Sequence, residues 1–176
     1  MKIAIIGTHC SGKTSLCNKM YSSLWFEDYT FTQEPMREVA RLGFKVNENA
    51  DDAAQLAMVG LHLNNLLKGN IVSDRSLLDA YIYAKYIREH SGVVSAETLE
   101  FIEHIMKYNL HRYNLLVLCE PEFKVVNDGF RSTDDNFRNE IHQMFLDAIK
   151  WLKLDVLTVN GNTEERYKKV IKVVIA

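Results

Sequence analysis

Gly7, Gly12, Lys13 and Thr14 stand in the spacing G-x-x-x-x-G-K-T, directly after the apolar run Ile3-Ala4-Ile5-Ile6. Residue types in this order suit one task, the binding of a polyphosphate. Two glycines let backbone N–H groups curl around phosphate oxygens, and the following helix turns its partial positive charge on them. Lys13 then reaches the β- and γ-phosphates, and the Thr14 hydroxyl is a ligand for Mg²⁺. Thr8, His9, Cys10, Ser11 and Ser15 complete the loop. His9 and Cys10 fill variable positions, as phosphate contacts or as filler.

Other chemistry-bearing residues fall at the ends of apolar runs. Asp74 closes the run IVSD and, with Arg75, opens "DRS". A carboxylate there faces a phosphate loop and can hold Mg²⁺, with Arg75 beside a transferring phosphoryl group or its acceptor; the alternative is an N-cap aspartate followed by a surface arginine. Glu34 ends a second run, with Arg37 and Arg41 one helical turn apart beyond it. A carboxylate with two arginines can orient a hydroxyl or a phosphate of an acceptor. The alternative is a solvated helix in which Glu34 and Glu38 pair with Arg37 and Arg41.

Arg131 and Arg138 lie within the polar stretch NDGFRSTDDNFRNE, which reads as a lid over ATP at about 127–140 or as a solvent loop. Asn160 and Gly161, after the last strand, either pack on a purine or form a helix-capping turn.

These residues need a frame. Short β-branched runs alternate with amphipathic stretches. Strands are expected at Ile3–Ile6, Tyr29–Gln33, Ile71–Asp74, Asn114–Pro121 and Val156–Val159. Helices are expected at Lys13–Leu24, Pro35–Leu42, Asp51–Lys68, Leu77–Glu89, Ala96–His111, Phe137–Leu152 and Glu164–Val174. In the third helix Leu56, Val59, Leu63 and Leu66 recur on one face. Strands with continuous apolar centres are covered on both faces, so the expected architecture is a three-layer α/β/α domain around a five-stranded parallel sheet. Ligands of such sheets bind beyond the carboxyl ends of the strands.

Composition narrows the function further. The chain has 176 residues and suits a single domain over 1–176. Its net charge of −2 disfavours a broad nucleic-acid surface. Apolar runs are too short to span a membrane. Three cysteines without CxxC spacing suggest neither disulfides nor a zinc site, and fit a reducing, cytoplasmic setting.

Taken together, the motifs resemble the P-loop kinases of nucleosides and nucleotides. "TQEP" is similar to the Glu-Pro signature of thymidylate and deoxynucleoside kinases, and "DRS" with "LLDAYIYAKY" resembles their Asp/Glu-Arg-Ser segment. "REVAR", "DRSLLDA" and "DGFR" also resemble an AAA-type group that includes ribosylnicotinamide kinase domains. The resemblance implies strand order 2-3-1-4-5, ATP and Mg²⁺ as cofactors, and a small nucleoside or nucleotide acceptor. It also implies Glu34 near the acceptor, Arg75 at the transfer site, and Arg131 and Arg138 as lid arginines. "MREVAR" stands where a thymidylate kinase has a glycine pair, which leans the expectation towards a hydroxyl acceptor. A nucleic-acid hydroxyl as acceptor and a regulatory NTPase are the alternatives, and a homodimer is left open.

Overall fold

A computed structural model describes residues 1–123 and 135–175. Five parallel strands form one sheet in the order β2-β3-β1-β4-β5. They are β1 (Lys2–Ile6), β2 (Thr30–Thr32), β3 (Ile71–Asp74), β4 (Leu115–Cys119) and β5 (Val156–Val159). The helices are α1 (Lys13–Tyr21), α2 (Pro35–Arg41), α3 (Asp52–Leu66), α4 (Leu77–Ser91), α5 (Ala96–Asn109), α6 (Asp135–Leu152) and α7 (Thr163–Val174).

The central strand shows why its residues are apolar without alternation. Ile3 and Ile5 pack with Leu16, Met20 and Val170 of α1 and α7 on one face. Ala4 and Ile6 pack with residues of α3 to α6 on the other. All four side chains are fully buried. Truncating Ile5 to Ala would cost about 2–5 kcal/mol.

The layers also locate the crevice. From β1 the chain runs to β2 through α1 on one face, and from β3 to β4 through α4 and α5 on the other. Connections leaving in opposite senses open a gap at the carboxyl ends of the central strands.

The structure departs from the sequence reading at three elements. α1 stops at Tyr21, because the Ser22 hydroxyl turns back to donate to the Asn18 and Lys19 carbonyls. β2 has only three residues, paired with β3 alone at the sheet edge. In α3 Leu56 is exposed, and the inward stripe is Gln55, Val59, His62 and Leu66. Two polar residues on the buried face hide that stripe from a reading based on hydrophobicity.

The expected lid lies outside the described residues up to position 134, and Arg131 with it. Arg138 falls within α6. Among the described residues no helix is long and apolar enough to cross a membrane.

Candidate active site

The loop from Gly7 to Thr14 joins β1 to α1. Gly7 adopts φ 132°, and a Cβ there would stand 2.9 Å from the Cys119 carbonyl oxygen. Gly12 adopts φ 83°, and a Cβ would fall 2.6 Å from the Phe123 ring. Backbone conformation and close packing both require glycine at these two positions.

Lys13 is buried and curls over its own loop, donating to the Thr8 carbonyl at 2.6 Å with the Ser11 hydroxyl at 3.5 Å. Burial, and then the charge of Arg75, pull its ammonium down to about 8. A polyphosphate would add to the counter-charge that Asp74, Asp79 and Glu34 already provide. Asp74, at the end of β3, accepts the Thr14 hydroxyl at 2.6 Å through Oδ2, and its buried Oδ1 has no partner among the described residues.

Those two oxygens fit a hard divalent cation completed by phosphate and water. Among the described residues no three His, Cys, Asp or Glu side chains gather for a metal, so such an ion would rely on its nucleotide.

Arg75 occupies the turn between β3 and α4 with φ 82°, a left-handed conformation that costs about 1 kcal/mol or more for a side chain of this size. The Arg75 amide donates to the Ile5 carbonyl at 3.0 Å. Ser76 then caps α4, and the Asp79 carboxylate closes the capping box by accepting the Ser76 amide at 2.9 Å. The turn directs the guanidinium along the crevice. Its Nε donates to Glu34 Oε1 at 2.5 Å, Nη1 lies 3.6 Å from Asp79, and its plane covers the Tyr83 ring at 4.9 Å. Burial lifts the Asp79 carboxyl to about 6, against the opposing pull of Arg75 and Lys13.

Glu34 is the residue before α2, which starts at Pro35 and thereby turns the carboxylate inward. Arg37 lies 3.9 Å from the other Glu34 oxygen, and Arg41 pairs with Glu38 at 3.4 Å. The Arg41 side chain is 71% exposed and stands outside the crevice. These are the pairings of the solvated-helix alternative, although Glu34 itself is buried.

Beyond this pair a cleft opens between α2, α3, α4 and α6. Pro35, Met36, Ala50, Met58, Ala80 and Ile87 give it apolar walls, and His9, Arg75, Asp79, Tyr83 and Phe137 border the end nearest the loop. His9 is buried, its ring stacked on Phe137 at 4.9 Å, and its amide donates to the Tyr83 hydroxyl at 3.0 Å. His9 thus belongs to the cleft as much as to the phosphate loop.

Two further cleft residues escaped the sequence reading. Gln55 is buried with neither amide atom partnered among the described residues, and His62 is buried with Nδ1 unpartnered. Burial, helped by Arg75, lowers His62 to about 3, so it is neutral at physiological pH. The signal for both lay in their seven-residue separation, two turns of one helix face.

On the opposite side of the loop, Arg138 donates to the Phe123 carbonyl at 2.6 Å, and its own carbonyl accepts the Thr8 hydroxyl at 3.0 Å. The Gly161 amide donates to Glu122 at 2.5 Å, and the Asn160 side chain accepts from Lys169. Asn162 and Glu165 form a capping box for α7. Cys10 is half-buried, and Cys17 is on the buried face of α1.

The chain belongs to the AAA domain family whose model matches residues 2–166. Its fold is that of the P-loop kinases of nucleosides and nucleotides. The NadR protein, solved in complex with NR, superposes with a TM-score of 0.76 at 19% identity, covering 98% of this chain and 50% of NadR. The chain therefore spans about half the length of that protein. Deoxyadenosine kinase from M. mycoides with bound dATP gives a TM-score of 0.70 at 16% identity and covers 100% of both chains. Thymidylate kinase from Candida albicans gives 0.66 at 16%, covering 98% of this chain and 90% of the other. A search of curated protein sequences finds no match.

Proposed function

We propose that the chain transfers the γ-phosphoryl group of ATP to a hydroxyl of a small nucleoside-like acceptor, with Mg²⁺. The observation that carries this reading is the Glu34–Arg75 pair. It stands between the loop that holds Lys13 and a cleft with apolar walls and unmatched hydrogen-bonding groups. A switch that only binds nucleotide has no use for a second cleft joined to its phosphate loop by a buried ion pair.

The roles follow from chemistry. The backbone of Gly7 to Thr14, with Lys13, holds the triphosphate. Ser15 and the turn at Asn160 and Gly161 border the donor side. Thr14 and Asp74 would hold magnesium, which when bound neutralises charge on the β- and γ-phosphate oxygens.

In the cleft, Gln55 and His62 present neutral donors and acceptors to a planar group, and Met36 and Met58 supply apolar contacts for its faces. The acceptor hydroxyl sits at Glu34, which orients it and takes its proton as the new O–P bond forms and the bond to ADP breaks. Arg75 remains beside both, balancing the charge on Glu34 before transfer and on the phosphoryl oxygens during it. Arg138, and Arg131 on the sequence reading, add positive charge on the donor side. Arg37 borders the acceptor through Glu34, whereas Arg41 is an acceptor contact only if the side chain swings in from the surface of α2. Neighbours solved with NR and with dATP support a nucleoside-type ligand for this fold.

The test is incubation with γ-labelled ATP and a panel of nucleosides, nucleoside monophosphates, ribosylnicotinamide and oligonucleotides. Label transferred to a nucleoside is the expected result. Label released only as free phosphate, whatever the acceptor, would make the chain an NTPase.

A further inference from the structure

Arg166 is the largest fully buried side chain among the described residues, at 1% exposure, yet it carries a full charge. Burying a cation costs several kcal/mol unless it is paired and hydrogen-bonded. Its guanidinium donates from Nη1 to the Ser11 carbonyl at 2.5 Å and from Nε to the Gly161 carbonyl at 2.8 Å. Nη2 donates to the Glu120 carbonyl at 3.0 Å and to the Glu122 carboxylate at 3.1 Å. One face lies on the Phe123 ring at 4.7 Å, and that ring closes over Gly12. A single side chain from α7 thus gathers the phosphate loop, the segment after β4 and the turn after β5.

The contact to Ser11 has a stereochemical consequence. In a trans peptide the C=O and the next N–H point in opposite directions. Holding the Ser11 oxygen outward on Arg166 therefore turns the Gly12 N–H away from Arg166, towards the inside of the loop. Gly12 sits in the left-handed region, where a glycine peptide could otherwise rotate at little cost. A fixed donor loses less entropy on binding an anion than one that must be ordered by it.

We infer that Arg166 is a positioning residue for the phosphate donor: it sets the Ser11–Gly12 peptide so that the Gly12 N–H faces a bound triphosphate. The inference rests on the reading of this loop as an ATP site, and it is independent of which acceptor is phosphorylated. Arg166 touches no substrate; it acts through the loop.

The experiment measures ATP binding directly, by calorimetry with Mg²⁺, in wild type, Arg166→Lys and Arg166→Gln, beside the acceptor KM and the melting temperature of the ligand-free proteins. Lysine keeps the charge but cannot reach four acceptors in one plane. Both variants are expected to weaken ATP binding at least about tenfold, or about 1.4 kcal/mol, with the acceptor KM within about twofold. Normal ATP affinity in either variant overturns the inference, and normal affinity in Arg166→Lys alone would leave only a charge effect. An acceptor KM raised as much as the ATP Kd would also overturn it, by marking a general loss of structure.

If neither variant folds, titrating ¹⁵N-labelled wild type with ATP still tests the orientation on which the inference depends. The Gly12 amide proton should move downfield with saturation, and an unmoved Gly12 signal overturns the inference. Wild type that binds ATP but phosphorylates no acceptor would end the proposed function and leave the Arg166 result standing.

Discussion

Arg75 and Glu34 meet at 2.5 Å, although 41 residues separate them in the chain. The contact joins the turn after β3 to the residue before α2, and both side chains are buried. Neither could remain charged there alone, because removing one partner of a buried pair costs about 3–5 kcal/mol. The two side chains therefore reach the crevice as a unit.

Glu34→Gln keeps a hydrogen-bond acceptor for Arg75 but cannot take a proton. It should preserve ATP binding and lower kcat with a hydroxyl acceptor by about 10²–10⁴-fold. With a monophosphate acceptor, already an anion near pH 7, the loss should be mild. Steady-state kinetics on both acceptor types check this. Turnover near the wild-type rate on every substrate would remove Glu34 from the chemistry.

Lys13 predicts a linkage between protons and ATP. Burial, and then the charge of Arg75, push its ammonium down from 10.5 to about 8, so the charged form is penalised when no ligand is bound. Between those values the unfolded chain binds more protons, and the stability of the ligand-free protein gains from Lys13 as pH rises through that window. Bound ATP would restore the charge. Above pH 8, ATP should bind with uptake of a proton, and its affinity should fall by up to about tenfold per pH unit. Calorimetry in buffers of different ionisation enthalpy measures the uptake. Lys13→Ala should remove the uptake and lower kcat by at least about 100-fold.

Gln55→Leu should move stability and function in opposite directions. A buried amide without partners costs about 1–3 kcal/mol, so the ligand-free variant should melt higher than wild type. The acceptor KM should rise about tenfold or more, with ATP affinity unchanged. A lower melting temperature would mean that Gln55 is satisfied within the protein.

Arg138→Ala removes the bond to the Phe123 carbonyl and a positive charge beside the phosphate loop. If that charge acts mainly on the transition state, kcat should fall at least about tenfold while the ATP Kd changes by less than about threefold. Unchanged kcat would reduce Arg138 to a structural tie between α6 and the segment after β4.

Local chemistry made much of this molecule legible in its sequence. The G-x-x-x-x-G-K-T spacing works within one strand-loop-helix unit, so Gly7, Gly12, Lys13 and Thr14 declare themselves without knowledge of the rest. Continuous apolar runs declared a sheet covered on both faces, since no one-sided strand could bury Ile3, Ala4, Ile5 and Ile6 together. Three-dimensional packing decided the partnerships. Glu34 could have been a surface carboxylate like Glu38 until β2 and β3 were placed side by side. Gln55 and His62 belong to no motif in the sequence, and only the position of α4 across from them makes their face of α3 a cleft wall. Arg166 carries no local motif, and becomes a buried clamp only when α7 packs beside the phosphate loop 155 residues away. Spacing along the chain encodes interactions within a turn or two. The burial that holds a charge or an amide in place depends on segments far apart in sequence, which no local pattern records.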